Sequence, residues 1–139
     1  MRKRTLAREF ALQILYQFEI TKEKIDDILS AFWDDDAKAD QAVKDFTTRL
    51  TRGTTENISF IDERIIKYAT NWELDRMAIV DRNILRMGCF ELLFLEDIPP
   101  KVAINEAVEI AKKYSGEDAG KFVNGILDKI KLERKFPNL

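Results

Sequence analysis

Within every long apolar series of this chain the apolar side chains return every three or four positions, and nowhere do apolar and polar residues alternate in the rhythm of a strand. Helices are what such a period can build. With only 5 Gly and 3 Pro in 139 residues, few points exist at which those helices can be broken, so a few long ones are expected. The 45% apolar content supplies a core, and the 35% charged content supplies long solvated faces around it.

The first helix is expected over about Arg4 to Ile20. Leu6, Phe10, Ile14 and Phe18 form its stripe, Ala7, Ala11 and Leu15 flank it, and Arg4 and Arg8 share a ridge. A second, Lys22 to Trp33, buries Ile25, Ile28, Leu29 and Phe32 and stops at Asp34-Asp35-Asp36. A third starts near Ala39 and runs through Val43, Phe46 and Leu50 to Gly53, a kink or a stop. Helical spacing resumes at Ile58, Ile61 and Ile65 up to Trp72, with Asn71 and Asp75 framing the next break. From about Asp75 to Leu95 the chain is apolar almost all round, which places that helix at the centre. Gly88 within it marks a close crossing, and Glu91 on its apolar stripe reads as a hydrogen-bonded structural carboxylate. After Pro99-Pro100, residues Val102 to Ile104 read as extended, leading to a helix capped by Asn105 and closed at Tyr114-Gly116. Asp118 then caps a last helix with the stripe Val123, Ile126, Leu127 and Ile130, and Phe122 sits at the stripe's edge.

The chain has no histidine and one cysteine. Imidazole bases, Ser-His-Asp and Cys-His nucleophiles, His-ligated zinc and an internal disulfide are all excluded. Cys89, inside an apolar run, reads as a small buried hydrophobe. The longest charge-free stretch, Phe10 to Phe18, is about half of the ~18 residues a membrane span needs. No membrane partner is expected, and the cytoplasm is the expected location. Net charge is −2, yet it is segregated: Arg2, Lys3, Arg4 and Arg8 stand against Glu9 before residue 18, whereas nine acids face four lysines between Glu19 and Phe46. Guanidinium forks at the start of a helix match phosphate oxygens, so this end could hold RNA; a solvated tail would look the same.

Three stretches taken together carry a resemblance: ARxxALQILYQ from Ala7, the block WELDRMAIVDRNILRMGCFELLFLEDIPPKVAINEAVEIAKKY from Trp72, and GKFVNGILDKI from Gly120. In this order they resemble the NusB family of bacterial transcription antitermination factors. The resemblance implies an all-α fold of about six to seven helices in one domain, with helical subdomains of about 1–71 and 72–139. It implies a factor with no catalytic step, cofactor or metal, which binds the boxA element of nascent ribosomal RNA with NusE and joins NusA, NusG and RNA polymerase. Its RNA-binding residues map onto Arg2, Lys3, Arg4, Arg8, Tyr16, Lys121, Phe122 and Asn124. Cations would hold phosphates while exposed rings stack bases. A Phe at the edge of a stripe is usually core, but the family pattern favours stacking for Phe122. The NusE side maps loosely onto Asp81, Arg82 and Arg86, residues that could equally form local caps and pairs. Apolar residues on the first helix leave room for a homodimer. Two other readings compete with it: a NusB-like domain of a ribosomal RNA cytosine methyltransferase, for whose catalytic domain 139 residues leave no room, and a helical scaffold that binds proteins alone.

Overall fold

The computed structural model describes residues 2–34 and 40–137, with the side chain of Arg2 left out. The described residues form seven α-helices and no strand, and the chain divides into two compact units, Met1–Glu56 and Asn57–Leu139.

The first unit holds α1 (Arg2–Thr21), α2 (Ile25–Asp34) and α3 (Gln41–Glu56). Ala7, Ala11, Ile14 and Leu15 are buried on α1, Ile28 and Leu29 on α2, and Val43, Phe46 and Leu50 on α3. The face of α1 that goes inward is therefore centred on the residues expected to flank its stripe, and Leu6 is exposed. The two alanines give the reason, because small side chains let α3 approach the α1 backbone. Thr47, fully buried, donates to the Val43 carbonyl at 2.8 Å and reaches the Ala7 carbonyl of α1 at 3.4 Å. Lys22 adopts a left-handed φ of 62° while the Thr21 hydroxyl accepts from the Glu23 amide, so the second helix begins at Ile25 and not at Lys22. The acidic turn at Asp35 and Asp36 and the start near Ala39 lie outside the described residues. Asp40 caps α3, accepting the Val43 amide at 3.0 Å. Gly53 neither stops nor ends α3, which runs on to Glu56. Buried Leu50, Thr51 and Thr54 around it hold the helix against the roughly 1 kcal/mol that glycine costs.

The second unit holds α4 (Ile58–Tyr68), α5 (Ile79–Phe94), α6 (Pro100–Ser115) and α7 (Glu117–Ile130), with single 3₁₀ turns at Leu74–Arg76 and Lys131–Glu133. The division falls after Glu56, not near residue 71, and groups α4 with the helices it packs on, α5 and α7. Helix α4 ends at Tyr68, before Asn71, and α5 starts four residues later than Asp75 because Leu74–Arg76 closes into its own turn. Helix α6 starts at Pro100, so Val102 to Ile104 are helical and Asn105 is no cap. A proline at the first helical position needs no N–H partner and its fixed φ suits a helix, while Pro99 before it is held extended. Gly116, with φ 99°, ends α6 and opens α7, so Asp118 falls in the first turn and not at the cap.

Helix α5 is the centre: every residue from Asn83 to Leu92 is buried. At Gly88 a Cβ would lie 2.8 Å from Leu127 Cδ1 and 3.7 Å from Ala107 Cβ, so the absent side chain is what lets α6 and α7 close on α5. Val123, Ile126, Leu127 and Ile130 of α7 are buried, as their spacing implies. Cys89 is buried and free, and burial pushes its thiol up to about 12.

Candidate nucleic-acid interface

In the first unit the candidate surface lies on α1. Lys3 and Arg4 are exposed, whereas Arg8 is only 2% exposed. The Arg8 guanidinium lies 5.3 Å from the centre of the Phe46 ring and that of Arg4 lies 4.6 Å from it. Arg8, read from the sequence as a phosphate-holding cation, lies one turn further along α1 than Arg4, where it meets α3 and stacks inside the unit. The Lys3 ammonium pairs with Asp40 at 2.8 Å, and that bond, with the Val43 amide, holds the Asp40 carboxyl below its ordinary range. A phosphate at Lys3 would therefore have to displace a carboxylate. Tyr16 is 43% exposed, available for stacking. Arg2 lies at the start of α1, and its side chain is outside the described residues.

In the second unit Lys121 and Asn124 are exposed on α7 and Phe122 is half-buried. The Phe122 ring meets Trp72 edge to face, with centroids 5.9 Å apart. Trp72, in the loop after α4, is itself 55% exposed. By spacing Trp72 marks the end of a helical run; a large ring after the last helical residue, beside Asn71, is the signal for a surface role. The pair divides two recesses. One, of about 300 Å³, runs from the pair to Asp81 and Asp118 over Met77 and Ala119. The other, of about 290 Å³, runs past Gly125 to Lys121 and Lys129. One side of the aromatic wall thus carries carboxylates and the other ammonium groups. Asp81 Oδ1 is buried without a hydrogen-bond partner, an acceptor ready for an N–H from a ligand.

Two of the three residues expected to face a protein partner are occupied within the unit. Arg82 donates to the carbonyls of Met77 at 2.8 Å and Leu74 at 3.4 Å, closing the 3₁₀ turn that precedes α5. Arg86 is buried and grips Asp62 of α4 with two bonds, Nε to Oδ1 at 2.8 Å and Nη2 to Oδ2 at 3.0 Å, while Nη1 donates to Asn83 at 3.2 Å. Arg82 and Arg86 are thus engaged within the unit, and Asp81 lines the recess beside the aromatic pair. Among the described residues no three His, Cys, Asp or Glu gather as metal ligands would, and no helix is long and apolar enough to cross a membrane.

Cations and an exposed tyrosine on one helical unit, and an aromatic pair between acidic and basic recesses on the other, define a small all-helical binding protein. The NusB family profile matches residues 5–131. The chain belongs to the NusB family, whose members are transcription antitermination factors and not enzymes. The transcription antitermination protein NusB of Anaeromyxobacter dehalogenans strain 2CP-1 is 52% identical over 128 residues, covering 92% of this chain and 89% of that one. The NusB of Chloroherpeton thalassium is 50% identical over 121 residues, 87% of this chain, but the match spans only 57% of that relative. Among solved structures, NusB of T. maritima matches with a TM-score of 0.86 at 44% identity, covering 94% of this chain and 92% of that one. A NusB chain from a crystal structure of antitermination factors NusB and NusE with double-stranded RNA matches with a TM-score of 0.86 at 32% identity, over 95% and 98% of the two chains.

Proposed function

We propose that this chain is an antitermination factor that binds boxA RNA of nascent ribosomal transcripts together with NusE, and through that complex reaches NusA, NusG and RNA polymerase in the cytoplasm. The observation that carries the reading is the match, over nearly all of both chains, to a NusB solved with NusE and RNA. The exposed chemistry agrees with it. Lys3, Arg4 and Lys121, with Arg2 at the chain's start, are the phosphate contacts; Tyr16 and the Phe122–Trp72 pair offer rings to bases; exposed Asn124 adds an amide from a separate recess that it shares with Lys101 and Asn105. Phe122 is then a stacking residue whose position Trp72 holds from the side. Asp81, at the recess next to the pair, offers its unpartnered Oδ1 to base N–H groups. Self-association through exposed Leu6, Tyr16 and Ile20 of α1 would compete with RNA for Tyr16.

The test is fluorescence anisotropy with single-stranded boxA RNA, with the same RNA as a duplex, and with a scrambled strand, each with and without NusE. Tight, sequence-dependent binding of single-stranded boxA in the presence of NusE is expected, with a weaker, salt-sensitive interaction alone. With about three phosphates held, the slope of log affinity on log salt should be near −2 for a single strand. Equal binding of boxA and scrambled RNA by the pair refutes the reading.

A further inference from the structure

The C-terminal segment after α7 does more than close the second unit. Between α4, the end of α5 and that segment lies a groove of about 610 Å³, a size that holds several side chains and takes no part in the RNA reading. Its walls are apolar and open to solvent: Phe60 and Phe94, edge to face at 5.8 Å, and Leu132, 79% exposed on the 3₁₀ turn. Its charges are lopsided. Arg64, Arg134 and Lys135 line it against a single carboxylate, Glu133, and that carboxylate is already taken by Arg64 at 3.1 Å, Lys67 at 3.4 Å and the Tyr68 hydroxyl. Arg134 donates to the carbonyls of Leu92 at 2.9 Å and Glu96 at 3.2 Å, which leave its charge uncompensated. Among the described residues no carboxylate pairs with Arg134 or Lys135, and the Nε atoms of Arg64 and Arg134 are buried without an acceptor. A chain whose net charge is −2 thus gathers a positive, apolar groove at one place.

We propose that this groove docks an acidic segment of a partner protein, an amphipathic helix that sets two or three apolar side chains against Phe60, Phe94 and Leu132 and its carboxylates against Arg134 and Lys135. Charge complementarity selects an acidic occupant. The rings select protein over RNA: one face of Phe60 is covered by the Arg64 guanidinium at 5.1 Å, one face of Phe136 by Arg134 at 5.1 Å, and one face of Phe94 by stacked Phe90 at 5.3 Å. With one face of each ring already covered and the aliphatic tip of Leu132 beside them, the lining suits the apolar anchors of a docked helix better than a run of stacked bases.

The probe is a fluorescein-labelled helical peptide with Leu, Phe and Leu at successive i, i+4, i+7 positions and Glu on both flanks; its control carries Lys at every Glu position. Against the intact chain the acidic probe should bind at least about tenfold more tightly than the control, with affinity falling as salt rises. Leu132→Asp and Lys135→Glu, both on exposed positions, should each weaken it at least about fivefold while the melting temperature and boxA affinity stay unchanged. That last comparison keeps the groove and the RNA reading separable, because boxA titration fails alone if only the latter is wrong. Equal binding of both peptides, indifference to Leu132→Asp and Lys135→Glu, or displacement of the peptide by single-stranded RNA would each overturn the proposal. So would a sedimentation shift to dimer that Leu132→Asp abolishes, since a second copy would then be the occupant.

Discussion

Removing Asp62 should damage this protein more than removing the arginine it holds. The Arg86 side chain is 9% exposed and its partner Asp62 is 22% exposed, and the two are joined by bonds of 2.8 and 3.0 Å. Taking one member out of a buried pair costs about 3–5 kcal/mol, because the other is left desolvated. Here Asn83 still accepts one guanidinium N–H and Asp62 lies near the surface, so Asp62→Ala should fall at the lower end, about 2–3 kcal/mol. In a chain of this length that lowers Tm by about 6–12 °C. Arg86→Met keeps the apolar stem, leaves no buried cation, and strands only a carboxylate that water can reach, so about 1 kcal/mol is expected. Urea unfolding and calorimetric melting of both variants measure the asymmetry, and NusE titration of Arg86→Met reads the alternative. If Arg86→Met melts like the parent but loses NusE, Arg86 is a partner contact and its pairing with Asp62 is incidental. If Asp62→Ala costs less than about 0.5 kcal/mol, the pair holds nothing together.

Arg8→Ala should lower stability by about 1–2 kcal/mol with little effect on RNA beyond that, whereas Arg4→Ala should do the reverse; melting and RNA titration of the two variants decide it. Trp72→Ala and Phe122→Ala should each weaken RNA binding by about 1–3 kcal/mol, while Ile126→Ala, in the core, should cost about 2–5 kcal/mol of stability, all read by the same two measurements. Hydrogen bonds from Tyr68, Arg64 and Lys67 hold the Glu133 carboxyl below its ordinary range, so it contributes stability above the unfolded value of about 4.3 that is lost as pH falls through the lower folded value. Glu133→Gln should flatten the melting profile below about pH 4.5. Cys89, its thiol pushed up to about 12, should resist iodoacetamide at pH 8 until urea unfolds the chain, and stability should decline above about pH 8.5, where only the unfolded thiol ionises.

Much of this protein is written in spacings a reader of the sequence can follow. The period of three to four residues determines that it is helical, the all-round apolar run determines that α5 is central, Gly88 marks the crossing that Leu127 and Ala107 fill, and the three ordered motifs determine the family. The period and the apolar run are local properties, since each depends on residues within a turn or two of one another. What spacing leaves open depends on neighbours far along the chain. Arg4 and Arg8 are one turn apart and chemically identical, both guanidinium groups lie over Phe46 of α3, and only the approach of α3 buries Arg8 while leaving Arg4 exposed. Arg86 looks like a surface cation until Asp62, 24 residues away, takes it up. Trp72 and Phe122 stand fifty residues apart, and their contact is a product of how α4 packs on α7. A helical face can be read from periodicity, but which of its residues meets a partner is decided by where distant helices cross, and that geometry exists only once the chain has folded.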